Sequence, residues 1–263
     1  MIQNSKKNAS RYWLPLLVTS VYIFLYVPII VLILFSFNES ESAYAWTGMS
    51  LRWYKALFSS IEIWHAMMTS LLVACTSAFL SVTMGTLLVY GAQQYIKRVI
   101  ALFYGSVLFP EIVIAVGLLS FFSLFSIPLG FITLVAGHTL LGLGFVIPIM
   151  HTRFEQLDKS VIQAGLDLGA SHIQIFFYII IPFLFPALAA ASLLAFIISL
   201  DDFLISFFCA GATTQTLSLY IFAMIRTGVS PMVNALSTLI VTISSILVLI
   251  FSSSRIRLLD RLL

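Results

Sequence analysis

Residues Phe131–His151 read FITLVAGHTLLGLGFVIPIMH and contain no aspartate, glutamate, lysine or arginine. At 1.5 Å of rise per residue, a helix of this length spans about 31 Å, the thickness of a bilayer's hydrocarbon core. Five similar runs lie along the chain, at Trp13–Phe37, Ala66–Ala92, Ile100–Leu124, Phe176–Phe208 and Met232–Ser253. The run ending at Phe208 is interrupted by Asp201 and Asp202, so its end is open by several residues. Composition agrees. Of 263 residues, 61% are hydrophobic and 9% charged, where soluble domains carry roughly 25% charge. Lipid must solvate such a chain. The expectation is an all-α, polytopic membrane protein with about six transmembrane helices, forming one domain over residues 1–263.

Lysine and arginine placement orients the spans. With the N-terminus in the cytoplasm, Lys6, Lys7, Arg11, Lys97, Arg98, Arg153, Lys159, Arg255, Arg257 and Arg261 fall on the cytoplasmic side. Only Arg52, Lys55 and Arg226 fall on the other. Ten against three is a strong positive-inside bias, and it places both termini in the cytoplasm. The first span, which lacks a small-residue cleavage site, reads as a retained signal anchor. Ser126–Gly130 is a tight turn that makes the third and fourth spans a hairpin. Residues 38–65 form an extracytoplasmic loop whose Trp46, Trp53, Tyr54 and Trp64 suit the interface. Residues 152–175 form the longest cytoplasmic connection, between helices 4 and 5.

That connection contains Asp158–Ser171, DKSVIQAGLDLGAS, and is followed by Ile179-Ile180-Ile181-Pro182. Asp158 or Ser160 is suited to cap a short helix. Val161, Ile162, Ala164 and Leu168 then fall on one side of it at helical spacing. Gly169 stands where a left-handed residue ends a helix, and Pro182 marks a break near the foot of the fifth span. A short helix with an exposed apolar side on the cytoplasmic face suits docking to a partner.

These residues resemble the EAA loop of ABC-importer permeases, of pattern E-A-A-x-x-x-G followed downstream by I-x-L-P. Asp167-Leu168-Gly169-Ala170 and Pro182 match it, Gln163 stands at the first glutamate and Gly165 at the second alanine. In that family the loop is a coupling helix inserted into a groove of the ATPase. The resemblance therefore gives Gln163, Ala164, Gly165, Asp167, Gly169, Ala170 and Pro182 a role in ATPase coupling. Gln163 keeps hydrogen-bonding capacity without the charge, and Gly165 costs the helix up to about 1 kcal/mol relative to alanine. The similarity extends through Phe109–Val113, Ser199–Asp202 and Thr227–Ala235, and narrows to permeases of spermidine/putrescine importers. It implies alternating access in a bacterial inner (plasma) membrane. Its implied partners are a homologous second permease subunit, two cytoplasmic ATPase subunits and an extracytoplasmic polyamine-binding protein. The alternative within the family is a permease for another small cationic or amine-containing solute.

Independently of that resemblance, Glu111, Asp201 and Asp202 lie within apolar runs, and no lysine or arginine lies there with them. An ionised carboxylate at mid-bilayer costs at least about 2.5 kcal/mol. Such groups face a wet cavity or a cationic substrate, are protonated, or bond to backbone at helix breaks. Three acids without bases point to a path for a cation, for which Phe203, Phe207, Phe208 and Tyr220 are candidate aromatic walls.

Other classes find little support. The G-x-x-x-x-G-K-[ST] loop is absent, so ATP hydrolysis belongs to another polypeptide. Asp201 and Asp202 adjacent on one helix would point about 100° apart, unlike a protease pair contributed by two helices. His65, His138, His151 and His172 lack metal spacing and read as polar contacts, and no cofactor or nucleic-acid partner is expected. Cys75 and Cys209 read as packing residues, and Gly85, Gly91, Gly142 and Gly144 as sites of close helix approach.

Overall fold

A bilayer offers the backbone no hydrogen-bonding partner, so apolar runs must satisfy their own N–H and C=O groups as helices. The computed structural model describes residues 3–41, 45–92, 108–228 and 231–259, with positions 98, 100, 101, 103 and 105 between them. Lys97, Val229, Ser230, Asp260 and Arg261 lie outside the described residues, as do most of residues 93–107. So do the side chains of Lys6, Lys7, Arg11, Arg255 and Arg257.

The helices are α1 (Gln3–Phe35), α2 (Arg52–Ser59), α3 (Ile61–Gly91), α4 (Glu111–Leu124) and α5 (Phe131–Glu155). They continue with α6 (Lys159–Asp167), α7 (His172–Asp201), α8 (Leu204–Cys209), α9 (Leu217–Thr227) and α10 (Pro231–Leu259). Among the described residues the one β feature is an isolated bridge between Asn38 and Met49. Trp13–Phe35 and helices α3, α5 and α7 are each long and apolar enough to cross a membrane. Helix α10 has 29 residues and covers the expected last span. Helix α4 has 14 residues, about 21 Å of helix, and covers the later part of the expected third span.

The chain divides into two compact units, residues 1–61 with 221–263, and residues 62–220. In the first, α10 packs on α1 and α2. Its loop is organised by buried Asn38, whose Nδ2 donates to Ala45 O (2.6 Å) and whose Oδ1 accepts from Thr47 N (3.1 Å). Trp53 Nε1 donates to Asn38 O at 2.8 Å, and the hydroxyls of Tyr54 and Ser36 lie 2.8 Å apart. Trp53 and Tyr54 therefore hold the loop together, where the sequence suggested interface aromatics.

In the second unit, α3, α5 and α7 enclose a core of Ala78, Val89, Leu143, Val146, Ile147, Met150, Ala191 and Ala195. Small residues let α3 and α5 approach. A Cβ on Gly85 would lie 2.8 Å from Val146 Cγ1, and one on Gly142 would collide with Ser81. Gly91, expected to act similarly, has no neighbour within 4 Å of that position among the described residues.

Two expectations about α7 are corrected. Pro182 does not break the helix. The turn before it widens into a π-helical segment, Phe176–Ile180, in which Ile181 N–H reaches Phe176 O. That longer loop accommodates a residue with no N–H of its own, and the helix continues to Asp201. The break comes at Asp202, whose backbone is extended (φ −63°, ψ 131°) before α8 begins. Asp201 and Asp202 thus do not share a helix.

Candidate functional site

Glu111 and the adjacent pair Asp201 and Asp202, far apart in sequence, converge in the second unit. Pro110 (φ −56°, ψ 130°) precedes α4, and Glu111 is the first residue of that helix, where the dipole favours an acid. Helix α4 packs against α8, which brings Glu111 to the break between α7 and α8. Its carboxyl lies beside Asp202 and near Asp201.

The acids at the break have different tasks. Asp202 is buried and caps α8, its Oδ1 accepting from Ile205 N (3.3 Å) and its Oδ2 from Ser206 N (2.9 Å). Its carbonyl accepts from Ser218 Oγ at 2.8 Å, tying the start of α9 to the turn. Asp201, one residue earlier, is exposed, and Glu111 is half-exposed. Among the described residues neither is paired with a lysine or arginine.

Glu111 opens into a pocket of about 210 Å³ lined by Phe109, Ile114, Leu140, Leu141, Phe145 and Ile198. The aromatic walls are thus Phe109 and Phe145. Phe203 instead packs against Phe207 (ring centroids 5.5 Å), and Phe207 lies edge-on to Phe208 (5.3 Å). Tyr220 is half-buried on α9, two residues beyond Ser218, and does not line the pocket. Phe145 carries no signal in a sequence with 23 phenylalanines.

From sequence alone His138 reads only as a generic polar contact. It sits in α5 with its side chain fully buried, its Nε2 3.5 Å from Asp202 Oδ2 and 3.3 Å from Ser206 Oγ. Its Nδ1 is 2.8 Å from Ser199 Oγ, and Ser77 Oγ in α3 donates to Ser199 Oγ at 3.2 Å. The Ser–His–Asp set resembles a hydrolase triad in composition. Ser199 and Ser206 are 7% and 1% exposed, however, so no acyl group reaches either hydroxyl.

In the connection between α5 and α7, Asp158 caps α6 by accepting from Ser160 N at 2.9 Å. That backbone N–H, aided by the Ser160 side chain, holds the Asp158 carboxyl below its usual range. The other end closes on Gly169 (φ +83°), with Gly169 N–H donating to Leu166 O (2.8 Å) and Ala170 N–H to Gly165 O (3.0 Å). These are the paired bonds of a Schellman cap.

The apolar residues of α6 do not lie on one side. Ile162 packs inward with Ile175, Ile179 and Ile180, whereas Val161, Ala164 and Leu168 face outward, Leu168 at 89% exposure. Consecutive residues are about 100° apart, which separates Ile162 from Val161. Gly165 also faces inward, where a Cβ would lie 3.2 Å from Ile179 Cδ1. Gln163 and Asp167 are exposed, and Ala170 packs at the edge of the inward cluster.

Residues 93–263 match the family model described as binding-protein-dependent transport system inner membrane component. The chain is 36% identical over 236 residues to the spermidine/putrescine transport system permease protein PotC of Escherichia coli (strain K12), covering 88% of this chain and 89% of that one. Its identity to PotC of Haemophilus influenzae is also 36%, over 88% and 91% of the two chains. The putrescine transport system permease protein PotI of E. coli K12 is 30% identical over 87% and 85%. A bacterial ABC transporter that imports the acidic polysaccharide alginate has a similar fold, with a TM-score of 0.75 at 14% identity over 94% and 97% of the chains.

Proposed function

This chain belongs to the family of binding-protein-dependent transport system inner membrane components, and on that premise we propose that the solute it carries is a polyamine. It is a multi-pass permease subunit of an ABC importer. The observation that carries the polyamine reading is the convergence of Glu111, Asp201 and Asp202, none of them paired with a lysine or arginine among the described residues.

A polyamine alternates ammonium groups with methylene chains. Glu111 and Asp201 offer carboxylates to the ammoniums, while Phe109 and Phe145 offer π faces and apolar surface to the rest. Asp202 takes less part, because its oxygens serve backbone N–H groups. The pocket of about 210 Å³ suits one end of such a molecule. A homologous second permease subunit supplies the facing half of the path.

The predicted orientation puts both termini and α6 in the cytoplasm. Two ATPase subunits dock there, and the α6 residues Gln163, Ala164, Asp167 and Leu168 meet one of them. An extracytoplasmic binding protein delivers the solute to the outer loops. ATP-driven closure of the ATPase pair moves α6, and α7 rocks with it through the Ile162–Ile175–Ile179 contact.

The test is ATP hydrolysis by the assembled importer in nanodiscs with its binding protein. Putrescine or spermidine should stimulate hydrolysis, and uncharged diols of matched length should not. Equal stimulation by the diols would remove the carboxylates from the reading.

A further inference from the structure

His138 meets Asp202 from a different helix. It reaches from α5 to the break between α7 and α8. Beyond that contact runs a chain of buried polar atoms: Ser77 of α3, Ser199 of α7, His138 of α5, then Asp202. Their exposures are 1%, 7%, 2% and 6%, so none has water as an alternative partner.

One arrangement of hydrogens satisfies all of them. Ser77 Oγ–H donates to Ser199 Oγ, as its 3.2 Å approach allows. The Ser199 hydroxyl donates to Nδ1 over 2.8 Å, which leaves the ring proton on Nε2. Nε2–H then points at Asp202 Oδ2 (3.5 Å) and Ser206 Oγ (3.3 Å). The reverse tautomer would turn a bare Nε2 lone pair toward a carboxylate oxygen.

Asp202 Oδ2 also accepts the Ser206 N–H, so its position sets where α8 begins. Asp201 is the preceding residue, and the Glu111 carboxyl lies against Asp202. A displacement of Asp202 therefore changes the spacing of both neighbouring acids. We propose that His138 is a positioning residue of the solute path: locked by Ser199 on one ring nitrogen, it holds Asp202 with the other and so fixes the spacing between Glu111 and Asp201. This rests on the reading that those two acids receive ammonium groups. His138 itself has no part in holding the solute.

Positioning differs from mere structural support in one measurable respect. Loss of support lowers transport of every solute in proportion. A change in carboxylate spacing alters discrimination between molecules whose ammoniums are spaced differently. The experiment uses the complete importer in proteoliposomes, with recovery of assembled complex as the folding check. Maximal rates for putrescine and spermidine are compared in wild type, His138→Leu, His138→Gln and Ser199→Ala.

The ratio of the two rates should shift at least about fivefold in His138→Leu, the low end of ordinary coupling between sites. It should return toward wild type in His138→Gln, which keeps one donor and one acceptor. Ser199→Ala, a milder loss, should shift it in the same direction. Proportional loss of both rates, or no change, overturns the proposal. Selective ¹⁵N labelling of histidine in the wild-type complex gives an independent arm. Nε2 should resonate as the protonated nitrogen and Nδ1 as the accepting one; the opposite assignment overturns the proposal even where His138→Leu fails to assemble. Wild type that moves neither polyamine defeats the polyamine reading, and the nitrogen assignment still decides the network.

Discussion

Replacing Gly169 by valine puts a β-branched side chain on a backbone at φ +83°, a region open to glycine and strained for other L-residues. The strain is worth about 1–2 kcal/mol. Among the described residues nothing lies within 4 Å of the position a Cβ would take, so no steric clash with them adds to it. The backbone relieves it by leaving the left-handed region, which breaks the Gly169 N–Leu166 O and Ala170 N–Gly165 O bonds that end α6. An energy of that size shifts the fraction of correctly capped α6 by about 5–30-fold. The assay is solute-stimulated ATP hydrolysis and uptake in proteoliposomes, with complex recovery as control. Gly169→Val should lower both by up to that factor while the complex still inserts and assembles. Gly169→Asn should stay near wild type, because asparagine tolerates left-handed backbone. Full activity in Gly169→Val, or equal damage from asparagine, would refute the reasoning.

Gly165→Ala should be tolerated, because its Cβ would lie 3.2 Å from the flexible tip of Ile179 and alanine favours helix; Gly165→Leu should uncouple hydrolysis from uptake by displacing α6 from Ile175 and Ile179. Glu111→Gln and Asp201→Asn should each reduce polyamine uptake at limiting solute by about tenfold or more, the loss of one charge-assisted contact; undiminished uptake in both would clear the acids of any role. Asp158 has a depressed folded carboxyl pKa, so its cap is complete above the ordinary carboxylate range and is lost as pH falls through the lower folded value. Amide exchange at Ser160, corrected for its intrinsic rate, should therefore stay protected through that ordinary range and rise only below it.

Much of this was legible in the sequence, for identifiable reasons. A run such as Phe131–His151 has only one way to satisfy its backbone in lipid, so its helix could be read directly. The end of α6 was equally plain, because a glycine just beyond a short helical stretch, as Gly169 is beyond Lys159–Asp167, has few other uses. Pro182 reads as a break because proline's missing N–H shows in sequence, while the π-helical turn that absorbs it does not. Val161 and Ile162 look alike in composition, yet one residue of helix separates their directions. The convergence of Glu111 on Asp202 follows from the packing of α4 on α8, a contact across 91 positions that no local pattern encodes. His138 escaped for the same reason. Its partners Ser199, Asp202 and Ser206, and Ser77 behind Ser199, lie on other helices or at the α7–α8 break, and each looks ordinary alone.

The central claim is that this permease subunit moves polyamines. Its most direct test is accumulation of radiolabelled putrescine and spermidine in proteoliposomes holding the chain with its second permease, ATPase and binding protein. The account predicts uptake that requires ATP and the binding protein and disappears when this chain is omitted. A fully assembled importer that hydrolyses ATP yet accumulates neither polyamine would contradict it.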